Sequence, residues 1–257
     1  MGLWQKQISR ATELAETVAG ARDLLVFYLH VLPAQSQVYE FIGTQVWPFS
    51  GRLESDIALL LPSFAPILRA AETAGPPTLA EQARTLKNTN PGEIEQMLLS
   101  YWNEPTDTNF FAKAFLQPYG QHCSSIDSEQ LDPVSERLCP FCGGKPQLSF
   151  LQNREPGAES GNRDLICAKC LSSWPFRRAV CAYCGEEQPS KLAYFQSDTI
   201  LHVRVEACDT CKRYLKGVDL TRDGHAQPLV DEVAAAPLDL WATEHGYTKI
   251  ELNLVGL

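Results

Sequence analysis

Residues 139–170 read CPFCGGKPQLSFLQNREPGAESGNRDLICAKC, and residues 181–211 read CAYCGEEQPSKLAYFQSDTILHVRVEACDTC. Each stretch begins and ends with a Cys-x-x-Cys pair, and the pairs are separated by 24 residues in the first stretch and 23 in the second. A glycine follows the leading pair of both stretches, at Gly143 and Gly185. The two stretches are therefore copies of an internal repeat, named below the first copy and the second copy.

This repeat predicts two metal sites. A Cys-x-x-Cys turn directs two sulfur atoms at one ion, and two such turns complete a tetrahedron. Strands this short bury too little surface to fold alone, so we expect metal binding to supply folding free energy, about 10 kcal/mol per structural site for zinc. The predicted ligands are Cys139, Cys142, Cys167 and Cys170 for the first ion, and Cys181, Cys184, Cys208 and Cys211 for the second.

The ligand set leaves alternatives open. Four thiolates suit zinc or a single rubredoxin-type iron, and in principle an iron–sulfur cluster. One alternative is that both metal sites are purely structural and stabilise the fold. Thiol redox chemistry by an isolated Cys-x-x-Cys pair is disfavoured, because four pairs in two matched copies are better explained as metal ligands. In a cross-braced arrangement the first pair would join the third and the second the fourth. We favour self-sufficient copies because the repeat is regular.

The whole chain predicts an α+β fold. An all-helical N-terminal domain (residues 1–132) precedes two tandem rubredoxin-like or zinc-ribbon modules (133–178 and 179–225), and a short C-terminal helix with a docked tail follows (226–257). Helices are expected over residues 3–46 and 53–74, from Pro91 onward, around Phe110 and over residues 238–245, where Gly246 ends the helix. Alternating apolar residues predict strands over residues 147–151 and 199–205.

Charge and targeting signals restrict the class of protein. The net charge of −9 disfavours a general nucleic-acid binder, which needs clustered Lys and Arg. No secretory signal is evident, and no uncharged apolar run reaches the roughly 18 residues of a membrane-spanning helix. We therefore expect a cytoplasmic protein without direct membrane insertion. In that compartment, paired cysteines favour metal ligation over disulfides.

We predict no catalytic residues and no enzyme. The sequence contains no glycine-rich phosphate loop, no Gly-x-Ser-x-Gly and no His-Glu-x-x-His. The ninth cysteine, Cys123, lies beside His122 outside the repeat, and its role is left open. Trp174 and Phe176 are expected to fill the core of the ribbon rather than to form an exposed docking patch.

Three polar features receive structural interpretations. His202 is expected to be half-buried or to face solvent within a strand. The acidic pairs Glu186-Glu187 and Asp231-Glu232 are expected to be solvated residues of turns or helix ends.

Three stretches of this sequence resemble the formate dehydrogenase accessory protein FdhE family, and the resemblance covers nearly the full length. The first is DLLVFY at 23–28 with Ala34-Gln35, and the second is the set of four cysteine pairs that begins with CPFCGGKP. The third comprises LDLWA at 238–242, EHGY at 244–247 and NLVGL at 253–257. The third is the most specific, since four-cysteine ribbons occur in many families.

The resemblance implies a cytoplasmic maturation factor, not a dehydrogenase. Such a factor binds the catalytic subunit of a respiratory formate dehydrogenase and is required for its activity. The resemblance also implies iron in two rubredoxin-like sites. Zinc is the alternative occupant because Leu171 and Lys212 stand where a glycine usually follows the second pair, so that fewer amides are expected to reach the sulfurs.

Competing functions are a rubredoxin-like electron carrier and, less favoured, a zinc-ribbon protein that binds nucleic acid. The sequence leaves open whether the metal is redox-active or structural, which surface meets the client, and whether the chain forms a homodimer.

Overall fold

A computed structural model of the chain describes residues 2–45, 50–106, 109–126, 135–153, 161–197 and 199–257. Seven helices come first in these ranges: α1 Leu3–Thr17, α2 Arg22–Gly43, α3 Leu53–Leu60, α4 Ala65–Ala74, α5 Pro77–Lys87, α6 Pro91–Asn103 and α7 Phe110–Ile126. They share one hydrophobic core, and α2 contacts α1, α4 and α7 at its centre. This arrangement is called the helical bundle below. The domain boundary predicted at residue 132 lies outside the described residues, and those at 178 and 225 stay predictions.

The predicted helices are present, and the structure adds one between them. The predicted helix over 3–46 is α1 and α2, interrupted by a 3₁₀ turn at Ala19–Ala21, and residue 46 lies outside the described part of the chain. Helix α5 was not expected because Pro76-Pro77 indicates a break. Proline is nevertheless favoured in the first turn of a helix, where its missing N–H would have no partner. Ala80 and Ala83 of α5 are buried, and α5 packs against α4.

The repeat forms a single sheet. Its strands are β1 Pro146–Gln152, β2 Asn162–Cys167, β3 Ser173–Pro175, β4 Leu192–Gln196, β5 Val203–Cys208, β6 Arg213–Asp219 and β7 Thr248–Lys249. The strand order is β3-β2-β1-β6-β5-β4, with β7 beside β6. The first copy, extended to Pro175, supplies the antiparallel unit β1-β2-β3, and the second copy, extended to Asp219, supplies β4-β5-β6. The two copies are taken with these extensions below. Because β1 pairs with β6 in parallel, the two copies are joined through backbone hydrogen bonds.

One of the two predicted strands is shifted. The prediction for residues 147–151 is confirmed by β1, but the strand predicted at 199–205 begins only at Val203. The N–H of Val203 donates to the carbonyl oxygen of Ile200 at 3.1 Å, so the preceding residues form a turn. Ile200 is buried although it lies in this turn. A buried turn residue therefore extended the apolar alternation beyond the true start of the strand.

Both faces of the sheet are covered. Helices α8 Pro228–Ala234 and α9 Ala236–Glu244 pack on one face, and Gly246 with φ of 80° follows α9 as predicted. Trp174 and Phe176 are buried against the other face, which confirms that they fill the core. Helix α8 was not expected because it contacts both the helical bundle and the sheet, so its apolar residues show no single buried stripe.

The interpretation of Asp231-Glu232 as solvated residues is wrong. Both side chains lie on α8 and are 0 % exposed, because α8 is enclosed between the helical bundle and the sheet. The guanidinium of Arg10 donates to Asp231 at 2.7 Å, and His202 lies 2.7 Å from the same carboxylate. A charge buried without a partner is costly, so each acid requires a partner that is distant in the chain.

Within the described residues, no single helix has both the length and the apolar composition of a membrane span. The bent pair Leu53–Ser63 and Ala65–Ala74 passes that test by length and composition only.

Candidate metal centres

The eight predicted cysteines lie on four turns with the same backbone hydrogen bond. In each turn, the residue after the second cysteine donates its N–H to the carbonyl oxygen of the first cysteine. The bonds are Gly143 to Cys139 (2.9 Å), Leu171 to Cys167 (3.1 Å), Gly185 to Cys181 (3.0 Å) and Lys212 to Cys208 (2.9 Å). The four donors also share a left-handed backbone, with φ of 69°, 57°, 80° and 55° respectively.

Leu171 and Lys212 show how the second turn of each copy forms without glycine. Both residues adopt the left-handed conformation that Gly143 and Gly185 adopt in the leading turns. A residue with a β-carbon pays about 1–2 kcal/mol for that conformation. The turn geometry is therefore kept at an energetic cost, and the missing glycine does not change the path of the backbone.

In each copy the four sulfurs are spaced as a tetrahedral site requires. The Sγ atoms of Cys139 and Cys170 are 3.6 Å apart, and those of Cys142 and Cys167 are 3.4 Å apart. Metal–sulfur bonds near 2.3 Å would place the sulfurs of a tetrahedron about 3.8 Å apart, whereas a disulfide needs about 2.05 Å. The first copy therefore has a ligand set of the right size for one ion.

The second copy repeats this geometry. The Sγ atoms of Cys181 and Cys211 are 3.8 Å apart, and those of Cys184 and Cys208 are 3.7 Å apart. In both sets, all four sulfurs lie within 4.8 Å of one another. The pairs of one copy thus meet each other, and the cross-braced arrangement is excluded. Each set can bind a metal ion, although the spacing fits zinc and iron alike.

Backbone amides and burial oppose each other in setting the thiol pKa values. Burial raises the pKa of Cys167 well above its ordinary value, and burial also raises the pKa of Cys181. Burial acts in the same direction on Cys208, but hydrogen bonds from the amides of Cys211 and Thr210 lower its pKa overall. In the second turn of the first copy, the N–H of Lys169 donates to the Sγ of Cys167 at 3.4 Å, so a turn without glycine still supplies an amide to sulfur. Four thiols this close need a cation to ionise together, so metal binding would release protons.

The two sets differ in exposure. Three sulfur ligands of the first set are buried and Cys142 is half-buried, whereas Cys184 of the second set is exposed. The first set also packs against the helical bundle: a β-carbon on Gly120 of α7 would lie 2.8 Å from the β-carbon of Cys170. The first set thus lies between the bundle and the sheet, whereas the second set has one ligand, Cys184, at the surface.

Cys123 lies near the first set. A cleft of about 320 Å³ separates α7 from the turns of the first copy, and it is lined by Trp102, Cys123, Phe141, Cys142 and Cys170 among others. No sequence pattern signals this placement, because the spacing of Cys123 bears no relation to the repeat. Only the packing of the bundle on the first copy brings it there.

A third cluster contains no cysteine. His202, Asp223 and Asp231 bring three potential ligand atoms within 4.8 Å. Arg10 already occupies this cluster, since its guanidinium lies 2.7 Å from both Asp223 and Asp231. We therefore assign these acids to an ion-pair network that links α1 to α8, and not to a metal site. His202 is half-buried as expected, but it lies in the turn before β5 and not within the strand.

Comparison with known proteins identifies relatives of this chain. Residues 179–255 match the family model described as "FdhE, C-terminal domain". "Protein FdhE homolog" of Aquifex aeolicus is 31 % identical over 206 residues, which cover 79 % of this chain and 72 % of that protein. The protein of the same description from Pseudomonas aeruginosa is 35 % identical over 131 residues, which cover 49 % of this chain and 41 % of that protein.

One solved structure has the same fold. It is described as the crystal structure of the FdhE protein from Pseudomonas aeruginosa, and it superposes with a TM-score of 0.74 at 24 % sequence identity. The superposition covers 98 % of this chain and 95 % of that chain. The predicted order of a helical part, a sheet with two four-cysteine sets and C-terminal helices is therefore confirmed.

Proposed function

The chain belongs to the FdhE family, and from that membership we propose that it is an accessory factor for a respiratory formate dehydrogenase. In this proposal it binds the catalytic subunit of that enzyme in the cytoplasm, is required for its activity and catalyses no reaction itself. The observation that carries the proposal is the 31 % identity over 206 residues with a relative of which it covers 72 %. Neither nucleic acid nor membrane insertion has a part in it.

A complementation experiment tests this role. Cells that lack their own FdhE protein receive the chain or an empty vector, and formate dehydrogenase activity is measured in both. We expect activity only with the chain, and we expect the catalytic subunit to co-purify with it. Activity that is equal in both strains would contradict the proposal. Size-exclusion chromatography of the purified chain tests whether the factor acts as a homodimer.

We also propose that both four-cysteine sets hold iron. The sulfur spacing and the amides directed at sulfur suit a rubredoxin-type ion, and zinc is the alternative occupant. Bound iron would supply either a one-electron redox couple or a rigid fold. Metal analysis and the visible spectrum of anaerobically purified chain distinguish these cases. Two irons with thiolate-to-iron bands support the proposal, and two zincs assign the sites a structural role.

An electron carrier is the second candidate function. The exposure of Cys184 favours it, because an exposed ligand brings the second ion close to a docked redox partner. A visible spectrum that dithionite changes reversibly would support this candidate. A zinc-loaded chain that still restores formate dehydrogenase activity would exclude it.

A further inference from the structure

Strand β4 is an edge of the sheet, and within the described ranges no other strand pairs with its outer side. The N–H of Asp209 donates to the carbonyl oxygen of Lys191 at 2.8 Å. Counting along the antiparallel register from this bond, Ala193 and Phe195 direct their backbone groups to β5. Two residues therefore direct both their backbone N–H and C=O groups outward, Tyr194 and Gln196, whereas the N–H of Leu192 donates to the carbonyl oxygen of Pro189.

The repeat shows what this kind of edge accepts. Strand β4 holds the position in the second copy that β1 holds in the first, since each begins opposite the third cysteine of its set. The outer edge of β1 is paired: β6 lies parallel to it, and the N–H of Leu220 donates to the carbonyl oxygen of Leu151 at 2.9 Å. The corresponding edge of β4 is thus built like an edge that binds a parallel strand.

The opposite edge of the sheet is protected, whereas β4 is not. Strand β3 has only three residues, ends at Pro175 and is followed by Arg177 and Arg178. Short length, proline and charge are the usual means of preventing unwanted strand pairing. Strand β4 has five residues, LAYFQ, with no charge, no proline and no break in register. An unprotected edge of this kind is a surface for a partner strand.

A groove lies beside this edge, between β4 and α9. Its volume is about 450 Å³, and its lining is largely apolar, formed by Tyr194, Phe195, Gln196, Ser197, Pro237, Leu238 and Trp241. The ring centroids of Phe195 and Trp241 are 4.1 Å apart. Side chains of an added strand point alternately to either face, so every second one would face α9.

A charge at the start of β4 indicates the chemistry of the partner. Lys191 precedes the strand and is exposed. At the other end, Arg222 donates to the carbonyl oxygen of Leu201, and its charge is already paired with Asp219 at 3.7 Å. An uncharged edge that begins beside Lys191 complements an apolar segment with an acidic residue at that end.

We propose that the outer edge of β4 binds an extended segment of the catalytic subunit, which adds to the sheet parallel to β4 as β6 adds to β1. The segment places an apolar side chain in the groove against α9 and carries an acidic residue at the end that lies near Lys191. This inference rests on the proposed function, because it takes its partner from there. In this mode of recognition, backbone hydrogen bonds give affinity and the groove gives specificity.

Hydrogen exchange at single-residue resolution tests the proposal on the full-length, metal-loaded chain, alone and with purified catalytic subunit. Ala193 and Phe195 should exchange slowly in both states because β5 protects them. The outward amides of Tyr194 and Gln196 should exchange quickly in the free chain and slowly in the complex. Strand addition predicts that the slowing of exchange on binding alternates from residue to residue along β4. A general loss of solvent accessibility would slow exchange without this alternation.

Two matched substitutions separate the backbone from the side chain. Tyr194→Pro removes an outward N–H but leaves the pairing with β5, and Tyr194→Ala keeps the N–H. We expect Tyr194→Pro to raise the Kd for the catalytic subunit about tenfold relative to Tyr194→Ala. The proline variant loses a hydrogen bond and the close contact between the strands. Unchanged metal content and circular dichroism would establish that both variants fold.

A charge reversal at Lys191 tests whether the partner segment carries an acidic residue at that end. Lys191→Glu should weaken binding about threefold to tenfold at low salt, and the difference should shrink as salt is raised. Lys6→Glu, at an exposed position of α1, changes the net charge equally and serves as the control. Equal effects of the two reversals would contradict an acidic residue of the segment near Lys191.

The outcomes separate this inference from the proposed function. Binding of the subunit without protection of the outward amides, or with equal affinity for both Tyr194 variants, would overturn the inference and leave the function standing. No binding by the unmodified chain would overturn both. Protection that grows with the concentration of the free chain would assign the edge to a second copy and overturn the inference.

Discussion

At the scale of single residues, Glu232 shows how this fold accommodates a buried charge. Its side chain is 0 % exposed, and it is held by Lys216, Lys249 and the side-chain amide of Asn253. Lys216 is itself 0 % exposed and also contacts Asp239. Two lysines and two carboxylates therefore neutralise each other where α8 and α9 meet the sheet, and removing one member leaves an uncompensated charge.

Lys216→Met tests this balance. Methionine has a similar volume without the charge, so we expect the free energy of unfolding to fall by about 3–5 kcal/mol. Chemical denaturation followed by circular dichroism measures the change. Lys87→Met, which removes an exposed lysine paired with Glu72, should change stability by less than about 1 kcal/mol. Equal effects at the two sites would mean that the buried cluster is energetically neutral.

Gly120→Ala tests the packing of α7 on the first metal centre. The new β-carbon would lie 2.8 Å from the β-carbon and 2.9 Å from the α-carbon of Cys170, so the turn must shift. We expect about 1–3 kcal/mol of lost stability and weaker retention of the first metal ion in competition with a chelator. Gly43→Ala, where no atom lies within 4 Å of the added carbon, is the matched control. Identical metal retention in both variants would contradict the close contact.

At the scale of elements, the second copy contributes three of the six strands in the main path of the sheet and carries its own ligand set. Cys181→Ser should therefore reduce the metal content from two ions to one and abolish activation of the client. Amides of β4 and β5 should lose protection, while α1 to α7 stay folded because their core contains no ligand. Cys123→Ser removes a cysteine outside both sets and should retain two ions. A Cys181→Ser chain that activates the client normally would contradict a role for the second site.

The elements also show which features a sequence reveals. The eight ligands were predictable because their spacing repeats and thiolate chemistry tolerates few substitutes. Helix α8 was not, because Asp231 and Glu232 look like surface residues until Arg10, Lys216 and Lys249 are brought to them by the fold. The pairing of β1 with β6 was equally hidden, since both strands look complete within their own copies.

At the scale of the whole molecule, the helical bundle and the sheet share α8 and the C-terminal tail. Val230, Val233 and Leu254 belong to the core of the bundle although they follow the repeat in sequence. The predicted helical domain of residues 1–132, expressed alone, would expose the apolar surface that these residues cover. The full chain is therefore expected to be more stable than its N-terminal part.

Truncation checks this expectation and the predicted boundary together. Residues 1–132 alone should unfold at lower denaturant concentration than the helices of the full chain, and should bind a hydrophobic dye that the full chain does not bind. Adding a peptide of residues 226–257 in trans should suppress dye binding. A fragment as stable as the full chain would establish residues 1–132 as an independent domain.

The parallel pairing of β1 with β6 gives the sheet a direction of growth. The join uses the first strand of one copy and the third strand of the other, so it is a head-to-tail contact that never closes on itself. Another molecule could extend the series only by laying its β3 along β4, and the brevity of β3 with its terminal Pro175 opposes that step. The repeat thus has one end, at β3, that is closed by its short length, by Pro175 and by the arginines that follow, and another end, at β4, that is still able to accept a strand.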